Sequence, residues 1–479
     1  MAPLLRISTG ASMSMHHILS TTRRTVIGFT TRPAVTTRRT VVPTVKALDP
    51  WIPRWHSLKA NLRFSSESHT PIFRIDANSV ASNTPIEDYY AHAKFGNGIL
   101  LGMFDGHGGP ECGRIVSKYL LSYIAKAITD LNLKKQEPGM ERTADHHRAI
   151  KHAIKTAFVR LDTDIINGAF TTSGNIAAEV VSRGTIASWI LGLAAFSRNE
   201  CLASLRTSLS GACALVAYID GDDVVPLSAD QTFKNPKEYA RLVDDHPGED
   251  VIIKGRILGG LMPTRAFGDA RYKWTKYQQR VILPSLYPDG RRGIPRNYKT
   301  PPYVTAEPEV IHYERDTHDE FLIMATDGLW DEVTSDISAQ LVGDKFGRGA
   351  TKDSASAVAS ATDAAVVDVG ANAASVLVWS ALSDGDTVPD NDRIRHILSI
   401  SNGKSRRYRD DITVNVAYFG NGSSEHYGES GLRKPIPGAV GIPMVDLGLA
   451  KPKHHHLTSW VEFLKHQPTQ SSGYPTSKL

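Results

Sequence analysis

The sequence predicts a globular domain of mixed helices and strands over about residues 73–420, flanked by two segments of different character. Strand-like and helix-like segments alternate across that stretch with no internal repeat. With 41% hydrophobic and 22% charged residues, the chain has the makeup of one that buries a core rather than staying disordered. Its 479 residues would allow about three domains at roughly 150 residues each, but large single domains exceed that figure. Motif spacing therefore decides the organisation.

The first flank, residues 1–48, carries Arg6, Arg23, Arg24, Arg32, Arg38, Arg39 and Lys46 before the first acid at Asp49. An acid-free segment rich in Arg, Ser and Thr, lacking the apolar stretch of a secretory signal, has the composition of a mitochondrial targeting leader. A disordered basic arm is the plainer alternative. The net charge of +5 resides in this segment, because without its seven cations 48 basic residues stand against 50 acidic ones. A near-neutral body argues against a nucleic-acid-binding protein. Residues 49–72 read as a linker, with Trp, Pro and Ser between Pro50 and Glu67.

Within the patterned region, Ile150, Ile154, Phe158, Leu161 and Ile165 form an apolar stripe down one helix face, as a core helix requires. Asn235 followed by Pro236 is an N-cap with proline at the first helical position, opening a helix expected to turn Tyr239, Leu242 and Val243 inward. Thr351–Val378 is rich in Ala, Ser and Val without a period, and no element is assigned there. Residues 421–479 read as a mostly irregular tail, in which His454-His455-His456 is a solvated loop before it is a metal site. Ile186–Phe196 is the best apolar run, well short of the roughly 18 residues that span a bilayer. Cys112, Cys201 and Cys213 make neither a disulfide framework nor a zinc spacing, and read as reduced thiols.

The chemistry concentrates in acids beside short apolar strands. Ile99–Phe104 runs into Asp105-Gly106-His107-Gly108-Gly109, and Phe321–Ala325 runs into Thr326-Asp327-Gly328. Arg409-Asp410-Asp411 precedes Ile412–Tyr418, whose alternation marks a half-buried strand. Glu87-Asp88 follows the polar run Ala81–Pro85. Gathering carboxylates at the mouth of a sheet is costly unless cations neutralise them. Oxygen-only ligands favour Mg²⁺ or Mn²⁺ over zinc. A lone Asp-Gly is a turn; four acidic motifs at strand ends point to a site. The glycines after His107 would let backbone approach an ion or a phosphate.

In order, Glu87-Asp88, Asp105-Gly106-His107-Gly108-Gly109, Gly211-Ala212-Cys213-Ala214, Arg265-Ala266-Phe267-Gly268-Asp269, Asp327-Gly328-Leu329-Trp330-Asp331 and Arg409-Asp410-Asp411 resemble the motif set of the metal-dependent protein phosphatase 2C family. The runs at residues 81–88 and 405–411 are similar to its mitochondrial pyruvate dehydrogenase phosphatase branch and fungal relatives. The resemblance implies an α+β fold, a four-layer α-β-β-α sandwich of two antiparallel sheets flanked by helices, with two Mg²⁺ or Mn²⁺ ions at one end. It implies that Asp105 bridges both ions, that Asp327 and Asp410 hold one, and that Glu87 and the Gly106 carbonyl hold the other. Asp88 would orient water, and His107 resembles the general acid. The implied substrate is a phosphoserine or phosphothreonine protein, with the pyruvate dehydrogenase alpha subunit as candidate and the mitochondrial matrix as location. The chemistry is consistent: water between two cations supplies hydroxide near neutrality, and a serine alkoxide leaving group needs a proton that histidine can provide.

Two positions depart from the family pattern. Where the family carries a phosphate-clamping arginine, four residues before the first acidic ligand, this chain has Asn83, a pattern that the pyruvate dehydrogenase phosphatase branch also resembles. Between Ile219-Asp220 and Leu227 the family carries a further strand ending in Gly-Asp-Ser-Arg, and here only a few residues fill the gap. Losing an internal strand near residues 220–227 would leave its neighbours' backbone groups unpaired and remove an aspartate associated with an additional metal. A mispredicted intron and a genuinely shortened, catalytically impaired regulatory module are the competing explanations; the intact metal-ligand positions favour the first. Arg265 and Asp269 are expected to order the framework near the site, and Lys254-Gly255-Arg256 to form a solvated turn.

Overall fold

The computed structural model describes residues 4–9, 13–19, 60–63, 72–95, 98–131, 143–183, 205–219, 230–286, 293–313, 319–346, 373–387, 390–400, 404–419 and 445–446. Strands β1 (Leu4–Thr9), β2 (Met13–Leu19), β3 (Ala60–Arg63) and β4 (Ile72–Val80) precede β5 (Asp88–Phe95) and β6 (Gly98–His107). Helices α1 (Glu111–Asp130) and α2 (Ala144–Arg183) lead to β7 (Gly211–Ile219). Shorter elements follow: α3 (Pro236–Asp245), β8 (Ile252–Ile253), β9 (Arg256–Ile257), β10 (Phe267–Gly268) and α4 (Lys276–Leu286). The chain continues through β11 (Glu309–Tyr313), β12 (Asp319–Thr326), α5 (Asp327–Trp330), α6 (Ser335–Phe346), α7 (Ala373–Leu382) and α8 (Asn391–Ser399) to β13 (Ile412–Phe419) and β14 (Val445–Asp446).

Among the described residues, one sheet runs β11-β1-β7-β6-β5-β14 with β10 paired to β7, and a second runs β2-β12-β13-β4-β3. Apart from the parallel β5–β14 pair, the neighbours in both sheets are antiparallel. Strand alternation sorts the core into layers. On β6 and β7, Leu100, Phe104, Ala214, Val216 and Tyr218 meet the buried faces of α1 and α2. The alternate residues Ile99, Leu101, Met103, Leu215 and Ala217 meet Leu322, Met324 and Ala417 of the other sheet. Phe321, Ile323, Val414 and Val416 pack on the opposite side against α7 and its neighbours. The result is the α-β-β-α sandwich that the family resemblance implies.

The stripe on α2 is core: Ile150, Ile154, Phe158, Leu161 and Ile165 are all buried. At α3 the cap forms, with Lys237 N donating to the Asn235 side chain at 3.0 Å, but the inward face differs from expectation. Leu242 is buried, whereas Tyr239 and Val243 are 51% and 48% exposed. Glu238 points inward instead, because Arg265 and Arg241 donate to its carboxylate at 2.6 Å and 2.8 Å. Burial would raise its pKa, yet these bonds hold it at about 2. Arg265 also donates to the Glu307 carbonyl, a framework role. Lys254 and Gly255 turn the β8–β9 hairpin with positive φ of 51° and 72°.

The gap after β7 does not leave an open edge. β1 lies between β7 and β11 and pairs with both, Ile7 opposite Val216 on one side and Val310 on the other. A row of unpaired N–H and C=O groups accepts any segment that can extend beside it, and here the N-terminus supplies it. β2 similarly borders β12, and Ala60–Arg63, read as linker, pairs with β4. Residues 220–229, Cys201, Ile186–Phe196 and His454–His456 lie outside the described residues. Cys112 and Cys213 are both buried. No helix among the described residues is long and apolar enough to cross a membrane.

Candidate active site

Strand register brings the acidic motifs of the first sheet together. Asp88 opens β5 directly opposite Asp105 near the end of β6, and Gly106 N donates to the Glu87 carbonyl at 3.1 Å. A Cβ on Gly106 would stand 2.5 Å from that carbonyl oxygen, so only glycine permits this approach. In the second sheet, β12 ends at Thr326 with Asp327 beginning α5, and antiparallel β13 begins just after Asp410-Asp411. Antiparallel pairing thus sets the end of one strand beside the start of the next, and each contributes an acid.

Two buried hydrogen-bond systems join the sheets. Thr326 Oγ1 donates to Asp88 Oδ2 at 2.8 Å and accepts from Thr413 N at 3.0 Å. Asp411 accepts from the backbone N–H groups of Ser82, Asn83 and Glu87 at 2.5, 2.8 and 2.8 Å, and from the Asn83 amide at 3.1 Å. Asp411 therefore fixes the loop that presents Glu87. Sequence reasoning missed this role; its signal was the second aspartate of Arg409-Asp410-Asp411, a doublet whose members face different tasks.

The electrostatics are strained in one direction. Burial, then the carboxylates of Asp327, Asp88 and Asp410, push the Asp105 carboxyl well above the usual range, and it hydrogen-bonds Asp327. Burial and Asp411 do the same to Asp88, and to a lesser degree to Glu87. Burial raises Asp410 as well, against the pull of Arg406, whose guanidinium pairs with it. Gathered acids that hold protons above their ordinary range are a site awaiting positive charge.

His107 follows Asp105 by two residues and turns elsewhere. Its Nε2 lies 2.7 Å from Asp269 Oδ2, and the ring keeps 29% of its side chain exposed. Burial would lower the His107 pKa, but the Asp269 carboxylate reverses this and raises it. Asp269 stands at φ 49°, a left-handed conformation uncommon for a residue with a side chain, and its N–H donates to the Ser210 carbonyl at 3.0 Å. The pair occupies the space that a side chain on Gly211 would need. Expected as framework, Asp269 is a direct partner of His107.

The structure thus brings Glu87, Asp88, Asp105, Asp327 and Asp410 to one end of the sandwich. All are oxygen donors, and the protein supplies them as the hard set suited to Mg²⁺ or Mn²⁺. Among the described residues no three His, Cys, Asp or Glu side chains are drawn tightly enough to hold an ion as they stand. Asp88 is engaged by Thr326, and Asp410 by Arg406. The donor chemistry fits a divalent cation, and proton-holding carboxylates at this density would release those protons to one.

Residues 96–370 match the family model described as Protein phosphatase 2C. A protein phosphatase 2C homolog of Schizosaccharomyces pombe is 34% identical over 373 residues, covering 73% of this chain and 80% of its own. The mitochondrial pyruvate dehydrogenase (acetyl-transferring) phosphatase 1 of Saccharomyces cerevisiae is 32% identical, over 83% of this chain and 77% of its own. The human mitochondrial phosphatase 2 of the same description is 29% identical, over 76% of this chain and 82% of its own.

Proposed function

Because the chain belongs to the protein phosphatase 2C family, whose members are protein serine/threonine phosphatases, we propose that its acidic end holds two Mg²⁺ or Mn²⁺ ions and hydrolyses phosphoserine and phosphothreonine. We also propose the phosphorylated alpha subunit of pyruvate dehydrogenase as substrate. The observation that carries the site is the convergence of five acids from both sheets, with Asp105 at its centre pressed by three carboxylates.

Asp105, Asp327 and Asp410 would hold one ion, and Glu87 with the Gly106 carbonyl would share the other with Asp105. Bound there, the ions would supply an activated water and offset charge on the phosphoryl group. Asp88, fixed by Thr326 at 2.8 Å, can accept a hydrogen bond from the attacking water and so orient it. His107, its ring anchored on Asp269, carries the proton that a serine alkoxide needs on leaving. Asp411 holds the Glu87 loop in place while touching no reacting atom. The alternative, a catalytically impaired phosphoprotein-binding module, gains no support from these intact acidic positions.

Purified full-length chain with Mn²⁺ is expected to turn over a phosphoserine peptide, to lose that activity in chelator, and to recover it on adding Mn²⁺. Phosphorylated pyruvate dehydrogenase alpha subunit should show kcat/KM at least about tenfold above that peptide. Metal and peptide binding without turnover would overturn the enzymatic reading in favour of the module.

The acid-free, arginine-rich segment 1–48 and the mitochondrial descriptions of two relatives support a mitochondrial location, with the matrix favoured. Import recognition of an unfolded segment and its later pairing as β1 and β2 are compatible if processing spares residues 4–19. Residues 1–48 fused to a fluorescent reporter are expected to carry it into mitochondria; a reporter left in the cytosol contradicts the location.

A further inference from the structure

A phosphoryl group arriving among five acids needs a cationic side chain as well as metal charge, and a guanidinium, with its planar pair of N–H donors, is the natural one. Asn83 is no such group: it is uncharged, and its amide is committed to Asp411 at 3.1 Å. Arg409 is committed too, to the Ala81 carbonyl at 2.5 Å and the Asp410 carbonyl at 3.3 Å.

Arg406 differs from both. Its guanidinium pairs with the Asp410 carboxylate while 52% of the side chain stays open to solvent. Asp327 and Asp411 also act on it, and Glu87 feels its charge, so with its side chain half exposed it stands at the edge of the acidic end. Its backbone is firmly held. The 3₁₀ turn Ser405–Arg407 is pinned through buried Ser405, whose Oγ donates to the Ser82 carbonyl at 2.6 Å, and Arg409 N returns to the Ser405 carbonyl at 3.1 Å. The turn is thereby tied to the same loop that carries Asn83 and Glu87.

We propose that Arg406 is the phosphoryl-binding residue of this site, doing from the β13 side what Asn83 cannot do from the β4–β5 loop. The inference rests on the phosphatase reading and names the group that recognises its substrate class, a phosphate monoester dianion. An ion pair half open to water contributes little to folding, so the Asp410 pair is a resting position. When Asp410 turns to a cation, the guanidinium is left at the mouth with its N–H groups free for phosphoryl oxygens.

The test is binding of inorganic phosphate to the Mn²⁺-loaded full-length chain, followed by calorimetry, in wild type, R406Q, R406K and R407Q. R406Q is expected to weaken phosphate binding by at least about tenfold, R406K by less, and R407Q by under about twofold. Mn²⁺ binding should hold or tighten in R406Q, since a competing cation has been removed from Asp410. Phosphate affinity in R406Q within about twofold of wild type overturns the proposal. So does an equal loss in R407Q, or a loaded wild type that binds no phosphate. Because calorimetry needs no turnover, a chain that binds phosphate through Arg406 yet hydrolyses nothing would sink the catalytic reading alone.

Discussion

Asp105→Asn is expected to cut phosphoserine-peptide hydrolysis by about 10³-fold or more while raising the melting temperature of the metal-free protein. The first effect follows from removing the acid proposed to serve both ions, a loss of several kcal/mol of transition-state stabilisation. The second follows from the electrostatics. Burial and the carboxylates of Asp327, Asp88 and Asp410 lift the Asp105 pKa well above its ordinary value. A carboxyl that holds its proton more tightly folded than unfolded contributes stability below about pH 4, and loses that contribution as the pH rises through the folded pKa. Wild type in chelator should therefore melt at progressively lower temperature as the pH is raised above about 4, from the Asp105 and Asp88 terms. Asp105→Asn should flatten that slope, and Mn²⁺ should restore wild type alone. An equal or lower melting temperature for the variant in chelator, across that range, would remove the electrostatic basis of the site.

Asp269→Asn should separate two substrates that a merely structural lesion would treat alike. A phosphoserine peptide expels an alkoxide and needs a proton on departure, whereas a p-nitrophenyl phosphate expels a stable phenolate and does not. With the 2.7 Å anchor to His107 Nε2 weakened, hydrolysis of the peptide is expected to fall by about 10²-fold or more, and that of the aryl ester by less than about threefold. The Asp269 carboxylate is what raises the His107 pKa against burial, so the pH above which peptide turnover declines should move downward in the variant. Equal losses on both substrates, with an unmoved pH profile, would reduce Asp269 to framework.

The parts of this molecule legible in its sequence were those where one physical pattern dominated. Asp105 and Asp327 end strands whose apolar runs are unmistakable, and the α2 stripe of Ile150, Ile154, Phe158, Leu161 and Ile165 is buried throughout. α7 was not legible, because all ten of its residues are buried and a helix enclosed on every side shows no stripe. Its start is instead marked in space by Asp76, which accepts from Ala373 N at 2.9 Å across 297 residues of chain. Tyr239 and Val243 fit an inward face by spacing alone, but the ionic demand of Arg265 and Arg241 turned Glu238 inward in their place. β1 was hidden by its cationic, acid-poor context, which reads as a leader; its place in the sheet depends on an opening between β7 and β11 that no local pattern reveals. Asp411 and Asp269 act through partners 324 and 162 residues away, beyond what spacing can convey, and Arg406, though it pairs with Asp410 only four residues on, owes its place beside Asp327 and Glu87 to the fold.

The most direct test is calorimetric titration of the folded full-length chain with Mn²⁺ at neutral pH. The account predicts saturable uptake of two ions per chain with release of protons from the acidic cluster, weakened at lower pH and abolished or halved in Asp105→Asn. A folded chain that takes up no Mn²⁺ or Mg²⁺ saturably, or does so equally well without Asp105, contradicts it.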